Sequence, residues 1–189
     1  LTVLVLGGSG IAPAQTPTSL TLSPASLVGG TRSTAQATLS GPVAQGFTVQ
    51  LSSSNQAAIV PLFPVAVPTG ATVVSFEVPT APVAQSTVVT ISVTANGSTR
   101  TAQLTISPPV PASVTTYQGV TGGLSTSGMV TLTGDGPREG GPTIQLSSSN
   151  PAVATVPASV TVGSRDDAVG FTIATSSVVQ TTVVTITAT

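Results

Sequence analysis

The chain has no cysteine, histidine, lysine or tryptophan. Without cysteine there is no disulfide and no thiolate chemistry. Without histidine, lysine or cysteine the commonest general bases and nucleophiles are gone. Charge is scarce as well: 5% of the 189 residues are charged, against about 25% in an ordinary soluble domain. The four positive charges, Arg32, Arg100, Arg138 and Arg165, are scattered, and the net charge is -1. Nothing here offers the basic stripe that nucleic acid or an anionic membrane attracts. No apolar run approaches the ~20 residues of a membrane-spanning helix, so membrane insertion is not expected. The sequence therefore argues against an enzyme and points to a structural or binding role with no cofactor.

What is present is an alternation of Val, Ile, Leu and Ala with Thr and Ser, a period of two that belongs to half-buried strands. Such a surface is solvated by Thr, Ser, Gly and Gln rather than by charge. That composition fits an extracellular or cell-surface location, with O-glycosylation or burial in an assembly.

Short strands are expected at turn-separated intervals: Ser19 to Leu22, Ser33 to Ser40, Phe47 to Ser53, Ala57 to Val60, Thr72 to Val78, Ser86 to Thr94 and Thr99 to Ser107. That spacing is the signature of a sandwich. The alternation turns Val74, Phe76, Val78, Val89, Ile91, Val93, Ala102, Leu104 and Ile106 inward. Asn96-Gly97 marks a two-residue hairpin, since a type I′ turn wants positive φ at both positions.

The pattern then repeats. Gln50 to Asn55 recurs as Gln145 to Asn150, and 11 of 22 positions agree between 73–94 and 168–189 at the same offset of 95. This is an internal repeat rather than shared composition. The boundaries it implies are a strand at 1–6, a linker at 7–17, a first domain at 18–107, a Pro-rich joint at 108–112 (Pro108-Pro109-Val110-Pro111) and a second domain at 113–189. The joint is stiff and extended, which strings the domains end to end.

The run from Gln145 to Val162 (QLSSSNPAVATVPASVTV), with a Gly-Gly pair after each leading strand (Gly29-Gly30, Gly122-Gly123), resembles the bacterial immunoglobulin-like repeats of surface and secreted proteins. The resemblance covers about Ser19 to Thr189. It implies an all-β fold of two tandem Ig-like β-sandwiches and no catalytic residue, such repeats serving as spacers, adhesive modules or fibre subunits.

The expected strand counts are seven and six. Thr87 to Thr94 is followed by a turn and a closing strand, Ser98 to Ser107, whereas its near-copy, Thr181 to Thr189 (TTVVTITAT), is followed by neither. At the other end, Leu1, Thr2, Val3, Leu4, Val5 and Leu6 form an apolar segment with no place in the first repeat. Leu1-Thr2-Val3 matches Leu104-Thr105-Ile106, the core of the closing strand. The expectation is donor-strand polymerisation, in which Leu1 to Leu6 of one copy fills a groove walled by Val184, Ile186 and Ala188 of the next. Such a head-to-tail homo-oligomer does not close and grows into a filament. The alternative is a segment of a multi-repeat surface adhesin or spacer. A third reading of Leu1 to Leu6, the tail of a signal peptide ending at Ala12-Pro13-Ala14, lacks a basic region before it.

Of the smaller motifs, Asn96-Gly97-Ser98 fits the N-glycosylation sequon, so Asn96 is a candidate glycan site on a hairpin tip. Asp166-Asp167 beside Arg165 shows no metal-ligand spacing and reads as a solvated loop, as Asp135 to Gly141 reads as a polar turn.

Overall fold

The computed structural model describes residues 14–189 other than residue 118, and every described element is a strand or a turn. The first eight strands are β1 (Pro17–Ser23), β2 (Ser26–Val28), β3 (Arg32–Leu39), β4 (Phe47–Ser53), β5 (Val65–Val67), β6 (Val73–Pro79), β7 (Thr87–Ala95) and β8 (Ser98–Ser107). They form two sheets, ordered β1-β3-β6 and β2-β8-β7-β4-β5. Taking β1, β3, β4, β6, β7 and β8 as strands A, B, C, E, F and G, the A, B and E strands face the C, F and G strands. This is the division found in an immunoglobulin sandwich.

Alternation decides which side of each strand is inside. On β3, Ser33, Ala35, Ala37 and Leu39 are buried while Arg32, Thr34 and Gln36 face water. Their opposite numbers on β6, Val74, Phe76 and Val78, are buried too, and Ala35 pairs directly with Phe76. A small residue opposite a large one lets the ring fill the space between sheets. On β7 and β8, Val89, Ile91, Val93, Leu104 and Ile106 are completely shielded from water. Asn96 (φ 48) and Gly97 (φ 74) turn the corner between those strands with the positive φ expected of them.

The second unit comprises β9 (Pro111–Thr116), β10 (Ser125–Leu132), β11 (Thr143–Ser148), β12 (Ala154–Thr155), β13 (Ser159–Thr161), β14 (Ala168–Thr175) and β15 (Ile186–Ala188). Its sheets are ordered β12-β14-β10-β9 and β13-β11-β15. Each unit packs around its own core: among the described residues, eighteen buried apolar side chains gather in the first and eight in the second. The smaller core predicts the weaker unit, since apolar burial is the main favourable term in folding.

Among the described residues the counts, eight and seven strands, correct the expected seven and six. The expected strand Ala57 to Val60 is instead a turn with one isolated bridge, Ile59 to Thr80. The Asn55 Oδ1 accepts the backbone amides of Ala57 and Ala58 at 3.0 and 3.2 Å, and this local side-chain bonding curls the chain out of strand geometry. The strands that sequence reading passed over, β2, β5 and β13, have three residues each, too few to show an alternation. β9 begins at Pro111, inside the stretch read as a joint.

Candidate functional site: an open sheet edge

The two units share a set of hydrogen bonds at the same offset. Ser54 Oγ accepts the Thr90 amide at 2.9 Å, and Ser149 Oγ accepts the Thr185 amide at 2.9 Å. The Asn55 amide donates to Ser53 Oγ and the Asn150 amide to Ser148 Oγ. Leu51, Ser52 and Ser53 pair with Val93, Ser92 and Ile91, and 95 residues on, Leu146, Ser147 and Ser148 pair with Ala188, Thr187 and Ile186. β15 is thus the counterpart of β7, and Val184, Ile186 and Ala188 are the counterparts of Val89, Ile91 and Val93.

The correspondence breaks on one side. β7 lies between β4 and β8, but β15 ends its sheet among the described residues. Two consequences follow from that edge. First, Thr87 to Thr90 of β7 are paired only with β8, in the register Thr87 to Ile106 and Thr90 to Gln103. Without such a neighbour their counterparts, 182–185, have no ladder, so the expected strand over Thr181 to Thr189 contracts to Ile186–Ala188. Second, Val89, Ile91 and Val93 are fully shielded, whereas Val184, Ile186 and Ala188 are only partly buried against the second core. Val183, on the outward face, is 89% exposed against 57% for its counterpart Val88. Apolar side chains beside an unpaired backbone edge are the two ingredients of strand addition.

Of the residues singled out in the sequence, Val184, Ile186 and Ala188 come together at this edge. Leu1, Thr2, Val3, Leu4, Val5 and Leu6 lie outside the described residues. Asn96 is exposed, and its Nδ2 donates to the Gln15 carbonyl at 2.6 Å, tying the hairpin tip to the segment before β1. The Asp166 and Asp167 carbonyls accept the Gly136 and Leu132 amides at 2.9 and 2.7 Å, so this loop is fastened by its backbone. Among the described residues no three His, Cys, Asp or Glu gather as a metal site would require.

The Gly-Gly pairs, which the sequence showed only as a recurring feature after each leading strand, anchor the same point in both units. Gly29 lies so close to the chain just past β6 that a Cβ there would stand 2.6 Å from the Ala81 oxygen, and at Gly122 one would stand 2.8 Å from the Ser176 oxygen. The following glycines, Gly30 and Gly123, have φ 91 and 92 and donate to Thr80 Oγ1 and Thr175 Oγ1 at 3.2 and 3.1 Å. Both threonine hydroxyls then donate onward, to the Thr31 and Leu124 carbonyls at 2.8 and 2.7 Å. The signal present in the sequence was a repeated Gly-Gly, followed by Thr 50 residues after Gly30 and 52 after Gly123.

No protein-family profile matches the chain, and no curated protein matches it in sequence. Among solved structures it is similar to the D0-D1 domain of intimin, at 13% identity over 86% of each chain with a TM-score of 0.41. It is also similar to the ligand-binding domain of human OSCAR, at 16% identity over 84% of this chain and 82% of that one, with a TM-score of 0.34. A third likeness is to Escherichia coli alpha-2-macroglobulin, at 11% identity over 83% of this chain and 18% of that one, with a TM-score of 0.37. At such scores the assignment of the class, tandem immunoglobulin-like β-sandwiches, rests on the chain's own strand order and internal repeat.

Proposed function

We propose that the chain is a structural module of an extracellular surface protein, and that its second unit takes up a strand in the place β8 holds in the first. The donor in this reading is Leu1 to Leu6 of a neighbouring copy, which makes the chain the subunit of a head-to-tail filament. The observation that carries it is the exposure of Val184, Ile186 and Ala188 where Val89, Ile91 and Val93 are sealed. Burying three inward side chains such as Leu1, Val3 and Val5 contributes ~1.5 to 3 kcal/mol each. Several ladder bonds add about 1 kcal/mol apiece. Together these exceed the low end of the ~4 to 15 kcal/mol that association costs.

The hydrogen bonds the units share at the same offset favour a second reading, in which they are consecutive repeats of a longer surface adhesin or spacer and the strand comes from the same polypeptide. Electron microscopy and light scattering separate the two. Under the filament reading the 189-residue chain assembles and a chain lacking residues 1–6 does not, while appending an Asn-Gly turn and a copy of Leu1 to Leu6 after Thr189 yields monomers. Unchanged filaments after the deletion, or a monomeric parent chain, eliminate the donor role of Leu1 to Leu6. Asn96 is the proposed site of an attached glycan in either case. Mass spectrometry of the native peptide that spans it, showing an unmodified Asn96, removes that part.

A further inference from the structure

We infer that the slot beside β15 has two walls: a docked strand pairs antiparallel with residues 182–188 along one edge and parallel with Gly119–Thr121 along the other. The inference rests on the strand-addition reading and adds the second wall and the register. Its template is the first unit. There β2 lies parallel to β8, with Ser26, Leu27 and Val28 opposite Thr105, Ile106 and Ser107. Two further bonds frame the pairing, Thr105 amide to Ala25 carbonyl at 2.9 Å and Gly29 amide to Ser107 carbonyl at 3.0 Å. Leu27 packs against the first core.

The counterparts of Ser26 to Gly29 lie 93 residues on, at Gly119 to Gly122, and they leave the body of the second unit from the same pivot. Gly30 and Gly123 share their backbone angle, and both are held by a threonine hydroxyl. Yet 119–121 forms no strand, Gly119 stands at φ 76, and Val120 is 39% exposed. Glycine moves between that conformation and an extended one at little steric cost, so Gly119 is placed to let the segment swing onto an incoming strand. Val120 then covers the strand's last apolar side chain as Leu27 covers Ile106.

The occupant this slot fits is an extended segment with the alternation of β8, apolar at three alternate positions as Ala102, Leu104 and Ile106 are. The first unit's ladder sets the register. The residue in Leu104's place sits opposite Val184, and the one in Ile106's place lies between Thr182 and Val120. A shift by one residue would turn the apolar face to water.

The test adds a synthetic peptide of residues 98–107 (STRTAQLTIS) to the chain lacking residues 1–6, in which no neighbouring copy can fill the slot, and follows amide hydrogen exchange. The expected result is new protection at both 182–188 and 119–121. A Val120→Ser chain should bind the peptide about tenfold more weakly, the loss of one buried apolar contact, with its own unfolding midpoint unchanged. A peptide with Leu104 and Thr105 exchanged should not bind. Protection at 182–188 alone, with Val120→Ser binding at full strength, overturns the second wall and leaves strand addition standing. No binding by the chain lacking residues 1–6 overturns strand addition and the inference with it.

Discussion

Thr80 and Thr175 show how much of each unit hangs on one hydroxyl. Thr80 is 5% exposed, accepts from the Gly30 amide and donates to the Thr31 carbonyl, while its own amide also reaches that carbonyl at 2.9 Å. Thr80→Val keeps the shape and strips the Gly30 amide of its partner. Because Gly30 itself is exposed, the expected cost is about 0.5–1.5 kcal/mol, the net contribution of one hydrogen bond, read as a lowered urea midpoint of the first unit. Gly29→Ala should be at least as harmful, because the new methyl meets the carbonyl of Ala81 and the backbone of Pro82, which cannot step aside as a flexible side chain would. The Arg32 to Glu77 ion pair makes a contrast. At 2.7 Å its geometry is good, but both side chains are about two-thirds exposed, at 67% and 64%. Glu77→Gln should therefore shift stability by no more than ~1 kcal/mol.

At the level of strands, β7 and β15 are one sequence pattern in two settings, and substitution should reveal the difference. Ile91→Ala in the sealed core should cost about 2–5 kcal/mol. Ile186→Ala, at a position already partly in water, should cost clearly less in the chain alone, as two denaturation curves would show. A docked strand should bring the two penalties closer together. The same pair explains what was legible from sequence. The inward positions of β6, β7 and β8 could be read because seven to ten alternating residues leave little choice of face, and the buried set includes Val74, Phe76, Val78, Val89, Ile91, Val93, Leu104 and Ile106. Ala102 is only partly buried, in the middle of β8 opposite Ile91. The short strands β2, β5 and β13 were not legible, since their existence depends on a neighbour already in place. Val184, Ile186 and Ala188 were legible as a face, but Gly119–Thr121 was not. Nothing in Gly-Val-Thr signals a strand until the first unit shows what its counterpart does.

For the whole molecule, the unequal cores predict two unfolding steps, the second unit melting first. The chain itself supplies a selective probe: it has no tryptophan and one tyrosine, Tyr117, just past the end of β9. Tyrosine emission should follow the weaker unit while circular dichroism follows both, and coincident transitions would refute the separation. A different consequence arises from the parallel course of β2 and β8 when the chain is stretched. Tension reaches the first unit through β1 and β2 and leaves through the end of β8. Because β2 and β8 run the same way, pulling slides them past each other and loads Ser26 to Thr105, Leu27 to Ile106 and Val28 to Ser107 together. In the second unit no strand pairs in that manner among the described residues, and bonds there can open one after another. Held between a surface and a moving load, the first unit would act as the strong link and the second as the part that yields. In a single-molecule force ramp the second unit should extend first, and the peptide of residues 98–107 should raise the force at which it gives.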